Sequence, residues 1–251
     1  MSQSSQKLDL GAFDAVLLDV GNVITYDFPI EMAYSYFVRR EVIRRRLHFP
    51  RRVDEILQTS QNPASVATML GDPQTWQEVN SLAWDLVLEN WGTLCIPIPG
   101  AVETLRRLSH LRLAIVANQP VQTLATLELL GIADLFEEII FDSLAGISKP
   151  STAIYEYAAH RLRAQPESLV MIGDRLDNDI FPSKAIGMTT VWLNQFPMDH
   201  TLPIPLISNR WKSSYFRAKN TFCSRYSEGL QGYSTESQPD YTVECLTDLL
   251  D

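Results

Sequence analysis

The sequence predicts an α/β fold: a parallel sheet with crossover helices and, inserted into it, a smaller all-helical segment. Short, nearly uninterrupted apolar runs alternate with helical patterns along the chain, as strands buried on both faces and their crossover helices do. One stretch, residues 25–96, breaks that rhythm and carries helical patterns only. The chain of 251 residues, 45% hydrophobic and 20% charged, suits one such domain with a modest insertion, or two small domains.

Ala15–Val20 is the first candidate strand, closed by Gly21-Asn22. The insertion follows, with long helical patterns from Ile30 to Leu47 and from Trp76 to Trp91, placed where it would form a lid over the strand ends. Pro97 and Pro99 lead into a helix at Gly100–Leu108, and Arg112–Ala117 is the second strand, ending at Asn118. The helical pattern Gln119–Leu130 has Pro120 near its start, where a missing N–H costs nothing, and Gly131 at its stop. Glu138–Phe141 reads as the third strand, and Ser151–Leu162 as a helix behind Pro150. Leu169–Ile172 is the fourth strand, ending at Gly173-Asp174, and Ser183–Ile186 is a short helix stopped by Gly187. Thr189–Leu193 is the fifth strand and Tyr241–Val243 a short last one. Right-handed crossovers align the ends that carry Asp19, Asn118 and Asp174 along one edge of the sheet. Residues 195–240, rich in Pro, Ser and aromatics, are too long for a plain loop, so local helix around Trp211–Tyr226 or partial disorder is expected. The domain reading is a core of residues 1–24 and 97–251 with a helical cap at 25–96.

The formal net charge of −9 argues against nucleic acid or an anionic membrane as a partner. Cys95, Cys223 and Cys245 are scattered without CxxC spacing, the pattern of reduced thiols. The start MSQSSQKLDLG lacks the basic and apolar runs of a secretory signal, and the apolar run Ala15–Leu18 is far short of a bilayer span. A soluble cytoplasmic protein, monomer or homodimer, is the expectation. His48, His110, His160 and His200 lie far apart and suggest no metal cluster, and the absence of a GxSxG elbow disfavours a Ser/His/Asp hydrolase. Arg39, Arg40, Arg44, Arg45, Arg46, Arg51 and Arg52 could attract an anionic substrate, or simply form a solvated helix face. Trp211, Tyr215, Phe222 and Tyr226 share one helical face among basic residues, suiting either a partner or membrane surface, or packing on their own domain.

Four places could carry chemistry. Asp19 follows four apolar residues, so its carboxylate emerges rigidly at a strand end, where it can act as a covalent nucleophile or merely cap a turn. Asp174, Asp177 and Asp179 crowd three carboxylates just beyond the fourth strand, and they repel one another unless a cation sits among them. Oxygen-only ligands select a hard ion such as Mg²⁺; the alternative is a solvated, helix-capping acidic turn. Lys149, before Pro150, can bridge a nucleophilic carboxylate and a transferred phosphoryl group, or be a surface lysine. Asn118-Gln119-Pro120 places a helix start after the second strand, a natural anion seat or an ordinary cap.

Taken together, the stretches AVLLDVGNV, LAIVANQP, GISKPSTAIYEYA and VMIGDRLDNDIFPSKAIGM resemble the haloacid dehalogenase-like (HAD) hydrolase superfamily, in its phosphatase-rich branch with a helical cap after the first strand. The resemblance spans residues 15 to about 194, with YTVECLTDLL as a final strand and helix. It implies a Rossmann-like, doubly wound parallel sheet, Mg²⁺ as cofactor, and hydrolysis of a small phosphorylated metabolite through an aspartyl-phosphate. Carried over by position, it implies Asp19 as nucleophile and metal ligand, with the Gly21 carbonyl, Asp174 and Asp179 completing the metal set. It further implies Lys149 as the clamp on phosphate and nucleophile, and Ala117 and Asn118 as the phosphate seat.

The chain departs from the family pattern twice. A second aspartate, two residues beyond the nucleophile, is the usual general acid/base; here it is Gly21, and losing such a group costs about 10²–10⁴-fold in rate. Asp27 is one candidate replacement, a polar linker residue its plainer reading. Ala117 stands where the pattern carries Ser or Thr, removing a hydroxyl from the phosphate seat. These changes keep two alternatives open: a catalytically weakened binding or regulatory protein, and a haloacid dehalogenase-type hydrolase, which needs neither the second aspartate nor a metal.

Overall fold

A computed structural model describes residues 8–47, 73–195, 204, 207 and 238–250. The chain divides into two compact units, one of Met1–Tyr26, Pro97–Pro197 and Tyr233–Asp251, the other of Asp27–Ile96 and Met198–Gly232. Arg51, Arg52 and the aromatic face of Trp211–Tyr226 lie outside the described residues.

The first unit is built on six parallel strands: β1 (Ala15–Leu18), β2 (Leu113–Ala117), β3 (Phe136–Phe141), β4 (Leu169–Gly173), β5 (Thr189–Leu193) and β6 (Tyr241–Val243). Their spatial order is β3-β2-β1-β4-β5-β6. Chain order therefore runs outward from β1 to one side, then returns across it to the other, the doubly wound arrangement expected of these apolar runs. β1, β2 and β4 are buried along their whole length, which is why they lack a polar/apolar alternation. On one face Ala15, Leu17, Ala114, Val116, Leu169 and Met171 pack with Ile154, Tyr155, Ala158 and Leu162 of the helix Thr152–Leu162. Leu18 pairs with Ile115 on one side and Ile172 on the other, so β1 and β4 end within one residue of each other and β2 runs two residues past Ile115. No helix among the described residues is long and apolar enough to cross a membrane.

Several boundaries differ from the sequence reading: β1 stops at Leu18 rather than Val20, β3 starts at Phe136 rather than Glu138, and two differences lie next to the strand ends. The helix after β2 spans Gln122–Leu129 and its N-cap is Val121, so Asn118 and Pro120 belong to the preceding loop and Asn118 does not cap it. Beyond β4, a π-helical turn at Leu176–Ile180 runs into the helix Phe181–Ala185. Pro182 stands at the join of the two, where its ring fixes φ and removes one N–H donor.

The described part of the second unit is helical, with Phe28–Arg44, Pro73–Glu89 and the short Trp91–Leu94. The first two helices pack through the Tyr34 and Trp84 rings, whose centroids are 5.0 Å apart, and the Tyr34 hydroxyl donates to Asn80 Oδ1 at 2.6 Å. The arginines are partly absorbed internally. Arg44 and Arg45 flank the buried Glu41, Arg45 also reaches Glu78 at 2.7 Å, and Arg40 lies over the Phe37 ring. Asp27 stands at the N-cap of Phe28–Arg44.

The edge strand β6 is held by a polar clasp. Asp240 accepts from the Thr190 N–H at 2.9 Å, the Thr190 hydroxyl at 2.7 Å and Lys184 Nζ at 2.5 Å. Burial works to raise the Asp240 carboxyl, but the bonds from Lys184 and Thr190 outweigh it and hold it below the ordinary value of 3.8. The stability this carboxylate supplies is thus present above pH 3.8 and is lost as pH falls through its depressed value. Asp240→Ala is expected to lower the melting temperature at neutral pH, with the gap to wild type closing as the pH is brought below 3.8; calorimetry across a pH series checks this.

Candidate active site

The level ends of β1 and β4 bring together side chains separated by more than 150 residues. Asp19 continues β1 by one residue, its N–H bonded to the Ile172 carbonyl at 3.0 Å, while Asp174 leaves β4 directly beside it. The carboxylate oxygens of Asp19, Asp174 and Asp179 lie within 4.8 Å of one another, and all three residues are buried. Lys149 enters this group from the loop before Ser151. Its ammonium donates to Asp19 Oδ1 at 2.8 Å and to Asp179 Oδ1 at 2.6 Å.

The lysine is placed by Asn118. Asn118 Nδ2 donates to the Lys149 carbonyl and Asn118 Oδ1 accepts the Lys149 N–H, both at 2.9 Å. Both polar atoms of the Asn118 side chain are therefore engaged with the Lys149 backbone, and the second Nδ2 hydrogen is what the amide can still offer an anion. Gln119 is held as well, its carbonyl accepting Ser143 Oγ at 2.7 Å. Its N–H goes to Asp142, whose carboxyl burial raises despite the N–H donors from Ser143 and Gln119.

Asp179 is fixed by a close approach. Its Oδ2 accepts the Arg175 N–H at 3.0 Å, and its Cβ, Cγ and Oδ2 lie so near Gly173 that a Cβ there would come within 2.4 Å of them. Only glycine allows that contact. The π-helical turn carrying Asp179 is pinned from below by the Tyr155 hydroxyl, which donates to the Asn178 carbonyl at 2.5 Å. Asp177, the third acidic residue of the stretch, points elsewhere and pairs with Arg175 at 2.6 Å.

Burial dominates the electrostatics. It pushes the Asp179 carboxyl up to about 6, with the Asp19 charge adding to the rise and Lys149 and the Arg175 N–H opposing it. For Lys149, burial works against the charge, but the carboxylates of Asp179 and Asp19 outweigh it and raise its pKa. Three carboxylates face one ammonium, so two negative charges remain uncompensated when all are ionised. An all-oxygen, net-negative donor set fits a hard divalent cation.

The sheet thus unites Asp19, Lys149, Asp174 and Asp179, and Ala117 and Asn118 close the neighbouring strand. Residues the sequence reading missed include Asn22, whose Nδ2 donates to Asp174 Oδ2 at 3.1 Å, and Trp192, whose Nε1 donates to the Asp174 carbonyl at 2.9 Å. Gln195 and Tyr155 join them. Nothing in the local pattern marks these residues, because each contact joins segments at least 18 residues apart in the chain.

The model of the haloacid dehalogenase-like hydrolases matches residues 13–187. The chain belongs to that family. As a haloacid dehalogenase-like hydrolase it is 28% identical over 177 residues to a glyceraldehyde 3-phosphate phosphatase of Pyrococcus abyssi, covering 69% of this chain and 70% of that one. It is 29% identical over 192 residues to a ribulose-1,5-bisphosphate 5-phosphatase of Halopiger xanaduensis, covering 70% and 74%. Its fold matches a HAD-superfamily hydrolase of Geobacter sulfurreducens with a TM-score of 0.63 at 19% identity, over 96% of both chains.

Removing one partner of a buried ion pair leaves an uncompensated charge. In metal-free protein at pH 8, Lys149→Met is expected to destabilise the fold by about 3–5 kcal/mol in denaturant titration. The Asp179 carboxyl, pushed up to about 6, contributes stability at low pH that disappears as pH rises through that value, so the penalty in Lys149→Met should shrink on acidification. Gly173→Ala is expected to displace Asp179 from Lys149; a crystal structure with the 2.6 Å bond intact would contradict the close-approach argument.

Proposed function

We propose that this hydrolase is a cytoplasmic, magnesium-dependent phosphatase of small phosphorylated metabolites that works through an aspartyl-phosphate at Asp19. The observation that carries the reading is the buried Asp19–Lys149–Asp179 bridge at 2.8 and 2.6 Å with Asp174 beside it. A nucleophilic carboxylate, a cation fixed against it and a second acidic group for a metal occupy one sheet edge. The names of the Pyrococcus and Halopiger relatives, both phosphatases of phosphorylated sugars, support the substrate class.

In this reading the free oxygen of the Asp19 carboxylate attacks phosphorus, forming the acyl-phosphate P–O bond as the bond to the leaving oxygen breaks. Water then cleaves the acyl-phosphate, returning Asp19 and releasing inorganic phosphate. Lys149 lies against Asp19 throughout and offsets the negative charge gathered there. Asn118 keeps the lysine backbone in register and, in this reading, contributes to the phosphate seat. Asp19, the Gly21 carbonyl and Asp174, with Asp179 directly or through water, would hold Mg²⁺, which would supply positive charge to the phosphoryl group when bound. The departing alcohol finds no acid at Gly21, so good leaving groups are favoured over poor ones.

The protein is expected to hydrolyse an activated aryl phosphate slowly in Mg²⁺, and to lose that activity in EDTA and in Asp19→Asn. A steady-state assay over sugar phosphates and nucleotides would extend this to the natural substrate. Wild type and Asp19→Asn equally inactive on every substrate, with metal still bound, would instead establish a binding protein. Activity on a haloacid without metal would establish a dehalogenase.

A further inference from the structure

We propose that Asn22, anchored by Gln195, is a positioning residue that sets the Asp174 carboxylate for a divalent cation; the inference rests on the metal reading above. Asn22 follows Gly21 with φ +51°, the left-handed region that side chains other than asparagine and aspartate seldom adopt. In that conformation the residue is held at three points. Its N–H donates to the Thr25 carbonyl at 2.6 Å, its carbonyl accepts Gln195 Nε2 at 2.6 Å, and its Nδ2 donates to Asp174 Oδ2 at 3.1 Å. The Asp174 main chain is fixed separately by Trp192 Nε1 on its carbonyl at 2.9 Å.

Backbone and side chain of Asn22 therefore do different things. Glycine would satisfy the left-handed backbone equally well, but only the amide reaches Asp174. The chemistry of the donor matters too. Lys149 brings a full positive charge to Asp19 and Asp179, whereas the Asn22 amide on Asp174 Oδ2 is neutral. A neutral amide orients the carboxylate without cancelling its charge; an ammonium in its place would compete with a cation. Gln195 stands two residues beyond β5 and ties the loop after β1 to the segment that leaves β5, so its amide limits how far Asn22 can swing. Such outer-shell contacts typically account for about 10–100-fold in metal affinity.

The test is Mg²⁺ titration by calorimetry on the full-length wild type, Asn22→Gly and Gln195→Ala, with circular dichroism confirming the fold of each. Asn22→Gly keeps the backbone conformation and removes the amide. It is expected to bind Mg²⁺ about 10–100-fold more weakly, with hydrolysis of the aryl phosphate recovering at saturating Mg²⁺. Gln195→Ala leaves Asn22 in place, and a weakening of several-fold is expected. Mg²⁺ affinity equal to wild type in both variants would overturn the proposal, as would weakened hydrolysis in Asn22→Gly that excess Mg²⁺ does not restore. A wild type that binds Mg²⁺ but hydrolyses nothing removes the phosphatase reading, while the affinity ratio still decides the role of Asn22. A wild type that binds no Mg²⁺ overturns both.

Discussion

The Lys149 ammonium, buried between Asp19 and Asp179, is the contact on which the site depends. A buried carboxylate without a partner is costly, and two of them close together more so. Lys149 offsets that repulsion at 2.8 and 2.6 Å, and every neighbouring feature serves to keep it there. Asn118 clamps its backbone with two hydrogen bonds, Gly173 lets Asp179 approach, and Tyr155 pins the turn that carries Asp179. The arrangement stays net negative, which is the condition for a cation to be attracted rather than repelled.

Sheet order explains how so few residues suffice. β1 lies between β2 and β4, so the segments leaving these three central strands emerge side by side. Parallel strands all end at the same edge, and a polar side chain one residue past each end meets its counterparts without any long reach. The apolar strands that make this possible are buried on both faces, so the chemistry is confined to their tips.

The two departures from the family pattern acquire a structural context. Gly21 removes a carboxylate from the loop after β1, yet the following residue adds an amide that bonds Asp174. Ala117 removes a hydroxyl from the end of β2, and Asn118 beside it is occupied in holding Lys149. Both losses fall on groups that would act on substrate, whereas the contacts that organise the carboxylates are intact. Rate is therefore more exposed to these substitutions than the architecture of the site.

What the sequence alone determined was local: the apolar runs that become strands, the Asp that follows each of two of them, and the Lys-Pro and Gly-Asp stretches that mark the family. Strand burial and turn chemistry are written in neighbouring residues and make Asp19 and Asp174 candidates, while Lys149 stands out only through the resemblance to the family. The helical pattern after β2 begins three residues before the helix itself, because the periodicity extends into a loop whose course is set by the clamp on Lys149 and the Ser143 bond to Gln119. Tertiary structure alone decided which polar groups meet. Asn22 and Asp174 are 152 positions apart and Gln195 and Asn22 are 173 apart, and no periodicity encodes a hydrogen bond across such distances. Those partners follow from strand order and register, which the chain settles only when the sheet has formed.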